Sequence, residues 1–405
     1  MSTAVVLQIG QCGNQVGPRF FETEATDMFF RVGSGGRVAR AVLVDTEPRC
    51  VGSARVSAVR DKDCWQYDRR HRLCLSGACG GGNNWACGYL LDGMELDLLE
   101  EIVCHEIENC DRLAAVWSLA SANGGTGSGL VCALADRLDD ILGCSAHMMH
   151  GMILCGGQRE DVTIGSLNAT LSLASLLSPE RRRTSVVALD STEARRRLSG
   201  RITSNIKPTI DDLNGELCAS ILRPLINVGF GALDDVASHP NFHLLSASLP
   251  PSHLKFPNHL SPLSKDKYIN VQNAHNAFSL PPLRRVKRAV VAVGTALSSS
   301  CRRHIIDVAD ARFDAIRCTC EHLSVAPYHG KLQSTNVASL VSTGGSASDL
   351  AALSAIATTA LSMVTAKAFA HHFEARGLAL ADIHHAVDAL HDFLGSYSAL
   401  CPLQK

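Results

Sequence analysis

Short apolar runs punctuate the first half of the chain at wide intervals. They are Ala4–Ile9, Ala41–Asp45, Ala114–Ser121, Met148–Cys155 and Ser185–Asp190. Each run is too brief for a helix, and the first is closed by Gly10, so each reads as a buried strand. Between them the apolar positions recur with a different period. In Met94–Asp111, the residues Leu98, Leu99, Ile102, Val103 and Ile107 return at helical spacing. Strands alternating with helices predict an α/β architecture, a Rossmann-like parallel sheet covered on both faces.

The pattern changes near residue 193. Ile210–Val228 carries Leu213, Leu217, Ile221, Leu225 and Ile226 and predicts one long amphipathic helix. Pro250–Pro282 holds six prolines and predicts an irregular excursion. Ala289–Gly294 and Ala338–Ser342 read as strands. Two helical stretches, about Ala355–Ala375 and Ala381–Leu394, close the chain with Gly377 between them. The division expected is an N-terminal parallel-sheet domain (1–192), a central helix with a smaller α+β intermediate domain (193–360), and a C-terminal helical layer (361–405).

The strongest chemical signal is Asn123-Gly124-Gly125-Thr126-Gly127-Ser128-Gly129, placed between a strand and the helical stretch Leu130–Leu138. Strand, glycine loop and helix present backbone N–H groups and a helix N-terminus to a phosphate. Thr126 and Ser128 add hydroxyl donors. The competing reading is a tight strand-to-helix turn without a ligand. Four glycines in six residues favour the phosphate loop. Gly10-Gln11-Cys12-Gly13-Asn14-Gln15 follows the first strand and offers a second phosphate-facing loop, with a plain turn equally compatible. Neither segment is a GxGxxG fingerprint or a Walker loop with its lysine, which disfavours a nicotinamide dehydrogenase and a P-loop kinase.

Composition narrows the partners. A net charge of -1 and a pI near 7.0 give no bulk attraction to nucleic acid. The N-terminus lacks basic residues, its apolar run is too short for a signal peptide, and no apolar stretch approaches the roughly 18 residues of a membrane span. A soluble cytosolic protein is expected. The 16 cysteines form no CxxC pair and read as reduced, buried small hydrophobes. Cys318-Thr319-Cys320-Glu321-His322 has the wrong spacing for structural zinc. His371, His372, His384, His385 and His391 read as solvated helix faces, and so do the arginine runs at 181–183, 195–197 and 284–288.

Taken together, GQCGNQ and GGTGSG in this order resemble the tubulin family. Further landmarks are Val44-Asp45-Thr46-Glu47-Pro48, Gly82-Asn83-Asn84-Trp85-Ala86, Asn168-Ala169-Thr170-Leu171-Ser172 and Asp212-Leu213-Asn214. The resemblance covers residues 1 to about 235 and resumes over Ala366–Leu400. Within the family it is strongest to the delta class. The carriers are Arg40–Asp45, Trp65-Gln66-Tyr67, Gly82–Tyr89 and His239-Pro240 followed by Phe242-His243-Leu244-Leu245-Ser246. The ending Cys401-Pro402-Leu403-Gln404-Lys405 lacks the acidic tail of alpha and beta classes.

The resemblance implies a GTP- or GDP-binding protein using Mg2+. Gln11 and Cys12 would contact the phosphates, with Gln11 and Glu47 near the metal. Asp45 and Glu47 would lie by the magnesium and γ-phosphate, and Asn83 and Asn84 in the loop facing that phosphate. Gly124, Gly125, Thr126, Gly127, Ser128 and Gly129 would cradle the α- and β-phosphates. Asn214 would read the guanine edge. Three positions depart from the family pattern: Ile210 where an aromatic ring stacks on the base, Thr192 where a second asparagine reads guanine, and Gly165 near the ribose. Any hydrolysis would need a neighbouring subunit served by a carboxylate, Asp235 first, with Glu47 beside the γ-phosphate. Two solvated acids capping a helix are the competing reading of Asp234-Asp235.

What the resemblance implies beyond the site is a role at centrioles or basal bodies, in triplet microtubules, beside other tubulins or centriolar microtubule proteins. Nucleic acid and membrane are not expected partners. The alternatives are a conventional or bacterial-type polymerising GTPase, a tubulin-fold scaffold without nucleotide, and a nucleotide-dependent metabolic enzyme.

Overall fold

The computed structural model describes residues 2–23, 25–33, 36–52, 65–75, 82–143, 145–155, 162–181, 183–201, 208–228, 230, 233, 243–248, 286–293, 320–327, 338–343 and 347–399. The five apolar runs are strands, as expected: β1 (Thr3–Ile9), β4 (Ala41–Asp45), β7 (Leu113–Ser121), β8 (His147–Leu154) and β9 (Thr184–Asp190). With β6 (Arg72–Cys74) and β10 (Leu244–Ser248) they form a parallel sheet in the order β6-β4-β1-β7-β8-β9-β10. Three further strands extend it at the β10 edge: β13 (Ala338–Thr343) and β11 (Val286–Val293), joined antiparallel, then β12 (Cys320–Pro327), parallel to β11. A separate antiparallel hairpin, β2 (Phe30–Gly33) and β3 (Gly36–Ala39), with β5 (Trp65–Tyr67) beside it, was not expected. Its short, glycine- and arginine-containing strands carry no apolar run long enough to stand out.

Strand side chains alternate between faces, so one strand feeds two cores. Val5, Leu7 and Ile9 of β1 join a core under α4 (Gly93–Glu108), α5 (Thr126–Leu142) and α6 (Gly165–Leu176). Ala4 and Val6 face the other core, which is rich in aromatics. There Phe20 and Phe21 of α1 (Gly10–Thr23) meet edge to face at 5.3 Å, and Phe20 lies 5.3 Å from Trp117. Three short helices complete the set before the second half: α2 (Pro48–Gly52), α3 (Trp85–Tyr89) and α7 (Ser191–Arg201).

The long helix expected over Ile210–Val228 is present but not uniform. It runs as α8 (Ile210–Leu217), a π-turn at Cys218–Leu222, and α9 (Arg223–Val228). Pro224 has no N–H for the carbonyl four residues back, and the widened turn directly precedes its segment. A capping box at Thr209 and Asp212 starts α8, and Arg19 pairs with Asp211 to fasten it to α1. Near the C-terminus the expected pair of helices becomes three: α10 (Ala347–Thr365), α11 (Ala370–Glu374) and α12 (Leu380–Ala399). Lys367 (φ 51°) and Phe369 (φ 62°) are left-handed, which breaks the stretch expected at Ala355–Ala375. Gly377 (φ 90°) turns the chain between α11 and α12. Helices α10 and α12 pack on α6, and the Tyr397 hydroxyl accepts from the Leu244 N–H at 3.0 Å. The Pro250–Pro282 excursion, Cys318-Thr319, Asp234-Asp235 and the terminal Cys401–Lys405 lie outside the described residues.

Among the described residues no helix is long and apolar enough to cross a membrane. The late histidines group with no third ligand, since no trio of His, Cys, Asp and Glu there could hold a metal.

His150 on β8 gives the fold an acid limit. Its Nδ1 lies 2.7 Å from the Ser118 hydroxyl and its Nε2 is buried without a partner. Burial, with help from Arg181 and His147, lowers the imidazole to about 3. The unfolded chain takes up that proton near pH 6.5 and the folded chain does not. Stability is therefore full above about pH 6.5 and falls as pH drops through the window from there toward 3, at up to about 1.4 kcal/mol per pH unit. Urea unfolding of the parent and of His150→Gln at pH 7.5, 6.0 and 5.0 is expected to give a shallower acid loss in the variant. Equal slopes would remove His150 as the cause.

Candidate functional site

The carboxyl ends of β1, β4 and β7 lie side by side: the chain passes from β1 to β4 and β6 on one side, then crosses back to β7 on the other. Such a switch point opens a crevice at the strand ends. Gly10 leaves β1 with φ 73° and the helix α1 begins at once. Gly10–Gln15, expected as a loop, is thus the first turns of a helix. Gln11 is exposed and Cys12 half-buried there, with N–H groups that have no acceptor within the helix. Burial, then Cys155, pushes the Cys12 thiol up to about 12. It stays protonated and unreactive near neutral pH.

After β4 the chain presents Asp45, Thr46 and Glu47. Asp45 Oδ1 accepts from the Thr46 N–H at 2.7 Å, while Oδ2 is buried with no hydrogen bond of good geometry, though the Cys50 thiol and the Glu47 N–H lie near enough to favour the charged form. Burial raises the pKa of this carboxyl. A buried carboxylate oxygen so weakly met at a strand end is costly. Glu47 beside it is exposed. Thr46 Oγ1 and Thr126 Oγ1 lie 3.0 Å apart and link this turn to α5.

The glycine segment after β7 is tighter than its sequence implies, because α5 begins at Thr126 and not near Leu130. A Cβ on Gly125 would lie 2.5 Å from the Asn84 nitrogen, and one on Gly129 would lie 2.0 Å from the Trp85 carbonyl oxygen. A Cβ on Gly10 would lie 3.1 Å from both Cα and N of Gly127. Backbone packing therefore explains these glycines with or without a ligand. Gly124 is different: a Cβ there meets nothing closer than the Ser121 side chain at 3.9 Å. The expected hydroxyl donors are engaged. Ser128 donates back to the Gly124 and Gly125 carbonyls and is buried, and Thr126 faces Thr46. What the segment can offer a phosphate is its backbone, from Gly124 to Gly127.

Asn83 (φ 53°) is exposed, whereas Asn84 is buried. Asn84 Oδ1 caps α3 through the Ala86 N–H at 2.9 Å, and its Nδ2 donates to the His372 carbonyl of α11 at 2.9 Å. The sequence reading used Asn168 only as a landmark. The structure buries it on α6 and brings its amide to the carbonyls of both Asn83 and Asn123. Its signal was a fully polar side chain inside the apolar helix Gly165–Leu176.

The base end is less furnished. Asn214 is 7% exposed on α8, which packs on α1 and α7, and its amide makes no side-chain hydrogen bond among the described residues. Ile210 is 65% exposed, Thr192 is exposed at the start of α7, and Gly165 is buried at the start of α6. Asp235 cannot be placed, as it lies outside the described residues. No group of three His, Cys, Asp or Glu among the described residues could hold a metal by itself, and the acidic oxygens after β4 are those of Asp45 and Glu47. That set fits Mg2+ held largely by phosphate and water.

Residues 3–186 match the family model described as Tubulin/FtsZ family, GTPase domain. The delta chain of tubulin from Canis lupus familiaris is 25% identical over 60% of this chain and 60% of its own length. The delta chain from Mus musculus is 31% identical over 42% of each. A beta-6 chain from Gossypium hirsutum is 33% identical over 42% of each. The chain thus spans about 60% or less of the curated relatives it matches.

The glycine contacts can be separated from ordinary helix propensity. Gly129→Ala forces a Cβ into the Trp85 carbonyl and is expected to cost about 1–3 kcal/mol. Gly215→Ala on α8 meets nothing within 4 Å and is expected to stabilise by about 0.5–1 kcal/mol. Guanidinium unfolding of both variants measures the difference; equal effects would refute the packing account.

Proposed function

We propose, from the premise that residues 3–186 are a Tubulin/FtsZ-family GTPase domain, that this chain is a delta-tubulin-like guanine-nucleotide-binding protein of the cytoskeleton. The observation that carries this reading is the convergence of three strand ends, with the end of β4 tied to the start of α1 through Asn14 and Val44 and to the start of α5 through Thr46 and Thr126. Gly124 to Gly127 and the first N–H groups of α1 would receive the α- and β-phosphates, the backbone doing what the buried Ser128 hydroxyl cannot. Gly129 would act at one remove, by seating α5 against α3. Asn83, at the exposed tip of its turn, would meet the γ-phosphate, and Asn84 would hold that turn in place.

Asp45, Glu47 and Gln11 would hold Mg2+ through water. Bound there, the ion offsets charge on the β- and γ-phosphate oxygens. Asn214, buried and with no side-chain hydrogen bond to another described residue, would read the guanine edge. With Ile210 in place of a stacking ring, loss of the stack would cost about 1–3 kcal/mol. Selection of guanine over adenine is then weaker than binding of phosphate. Turnover is at most GTP hydrolysis, with Asp235 presented to a neighbouring subunit's nucleotide. Domains at 1–192, 193–360 and 361–405 serve this reading. The cellular role we infer is in triplet microtubules of centrioles or basal bodies, with other tubulins as partners.

A second reading is favoured by specific residues. Ile210, Thr192 and the engaged hydroxyls of Thr126 and Ser128 suit a scaffold that keeps the fold without nucleotide. Isothermal titration with GTP, GDP and ATP in Mg2+ separates the two, beside Gly124→Val, whose Cβ meets nothing closer than 3.9 Å in the folded chain. Tight guanine-nucleotide binding, lost in the variant, is expected. No binding by well-folded protein would establish the scaffold. The isolated protein is also expected not to polymerise alone, since the sequence of Pro250–Pro282, with six prolines, predicts an irregular excursion and no helix for lateral contact. Sedimentable protofilaments formed with GTP would overturn that expectation.

A further inference from the structure

Asn168, only a landmark in the sequence, makes three side-chain hydrogen bonds to segments of the candidate site. It is fully buried near the start of α6. Its Nδ2 donates to the Asn83 carbonyl at 2.6 Å and to the Asn123 carbonyl at 3.0 Å. Its Oδ1 accepts from the Trp85 N–H at 2.9 Å. An amide has two N–H donors and one carbonyl acceptor, so the two donors are spent on two different turns and the acceptor on a helix start. Its backbone is held as well: its N–H donates to the Ile164 carbonyl at 3.1 Å, and its carbonyl accepts from the Ser172 hydroxyl at 2.8 Å. The same Ser172 hydroxyl reaches the Ser128 carbonyl at 3.1 Å, so α6 grips α5 at a second point.

The two turns it joins touch directly where Gly125 packs on the Asn83–Asn84 backbone, but no backbone hydrogen bond joins them among the described residues. One carries Asn83, whose left-handed φ of 53° is unfavourable for a non-glycine residue and needs surrounding contacts to persist. The other carries Asn123 and Gly124 and runs into α5; Asn123 Oδ1 accepts from the Cys155 N–H at 2.9 Å. Asp45's turn is linked to the same unit through the Thr46–Thr126 hydroxyl contact.

We infer that Asn168 is a positioning residue that fixes the γ-phosphate turn at Asn83 against the α/β-phosphate turn at Asn123–Gly125. It sets the gap between the two groups of backbone donors without touching the ligand. The inference rests on the nucleotide reading for its functional sense, while the tie itself is a property of the ligand-free chain. Asparagine is specific here. Aspartate keeps the volume and the acceptor for Trp85, but sets an oxygen against two carbonyl oxygens. Serine is too short to reach any of the three partners.

Asn168→Asp and Asn168→Ser, each in the full chain, decide the matter with two readouts. The first is amide hydrogen exchange without nucleotide over segments 84–90 and 122–129. Faster exchange of both segments together in both variants is expected, with β8 and β9 unchanged. If Asn168 only caps α3, Asn168→Asp will match the parent and Asn168→Ser will loosen 84–90 alone, which overturns the inference. The second is the ratio of GTP to GDP affinity. A purely structural loss lowers both affinities equally. A displaced Asn83 turn lowers GTP affinity by about a further tenfold, the scale of one lost buried hydrogen bond. An unchanged ratio in folded variants would also overturn the inference. Should the parent bind neither nucleotide, the nucleotide reading fails by itself, and the exchange pattern alone accepts or rejects the tie. If the aspartate variant does not fold, the serine variant carries both readouts.

Discussion

Gly10 and Gly127 meet backbone to backbone at the strand ends, and a Cβ on Gly10 would stand 3.1 Å from the partner's Cα and N. This approach brings the start of α1 and the start of α5 onto one crevice. Both helices point positive ends and unsatisfied N–H groups into it. The remaining parts depend on that spacing. Gly125 lets the Asn83–Asn84 turn close over α5, Gly129 lets α3 lie on α5, and Thr46 reaches Thr126 only because α5 is so near. A larger residue at any of these glycines widens the crevice before it changes any chemistry.

The parallel sheet was legible because its strands are buried on both faces, so hydropathy alone marks them. The Ala41–Asp45 run became a strand to the residue, and Leu113–Ser121 differed by one position. The hairpin Phe30–Ala39 was not legible, since its strands are partly exposed and mix arginine and glycine with apolar residues. The break between α10 and α11 was hidden for another reason. Lys367 and Phe369 adopt left-handed conformations that neither residue type signals. At the site, residue types were legible and their duties were not. A serine in a glycine loop suggests a donor to a ligand, yet Ser128 turns its hydroxyl to the carbonyls behind it, as serines in a first helical turn can. Asn168 was visible as a motif and invisible as a contact, because its three partners come from segments 45 to 85 residues away.

The crevice is also tied to the C-terminal helices. Asn84 caps α3 with its oxygen and holds the His372 carbonyl with its nitrogen. Beside this joint lies a cavity of about 520 Å3, walled by Asn83, Thr163, Phe369, His372 and Arg376. A shift of the Asn83–Asn84 turn therefore cannot occur without moving α11 or breaking the Asn84–His372 bond. At the far end of the same layer, Tyr397 fastens α12 to the backbone of β10. The C-terminal helices are anchored at the turn and at the sheet.

The two ends of the crevice pose opposite problems for a nucleotide. The phosphate end is over-determined: helix starts, packed glycines, the buried Asp45 carboxyl and the Asn168 bridge act on the same few ångströms. The base end rests on Asn214 with an exposed Ile210 at the mouth of its helix. Backbone donors and a helix dipole recognise phosphate whatever base it carries, whereas a hydrogen-bonded amide can reject the wrong base only when the base is held against it. Ile210 can cover a base as an apolar surface but supplies no ring to fix its plane. Affinity in such a site comes from the diphosphate, and discrimination depends on how far burial of Asn214 compensates for the missing stack. Buried polar groups reject a mismatched partner strongly because one unpaired group costs its full desolvation. An Asn214 only 7% exposed would impose that cost on any base it met, which is the physical condition under which the proposed guanine reading could hold without a stacking ring.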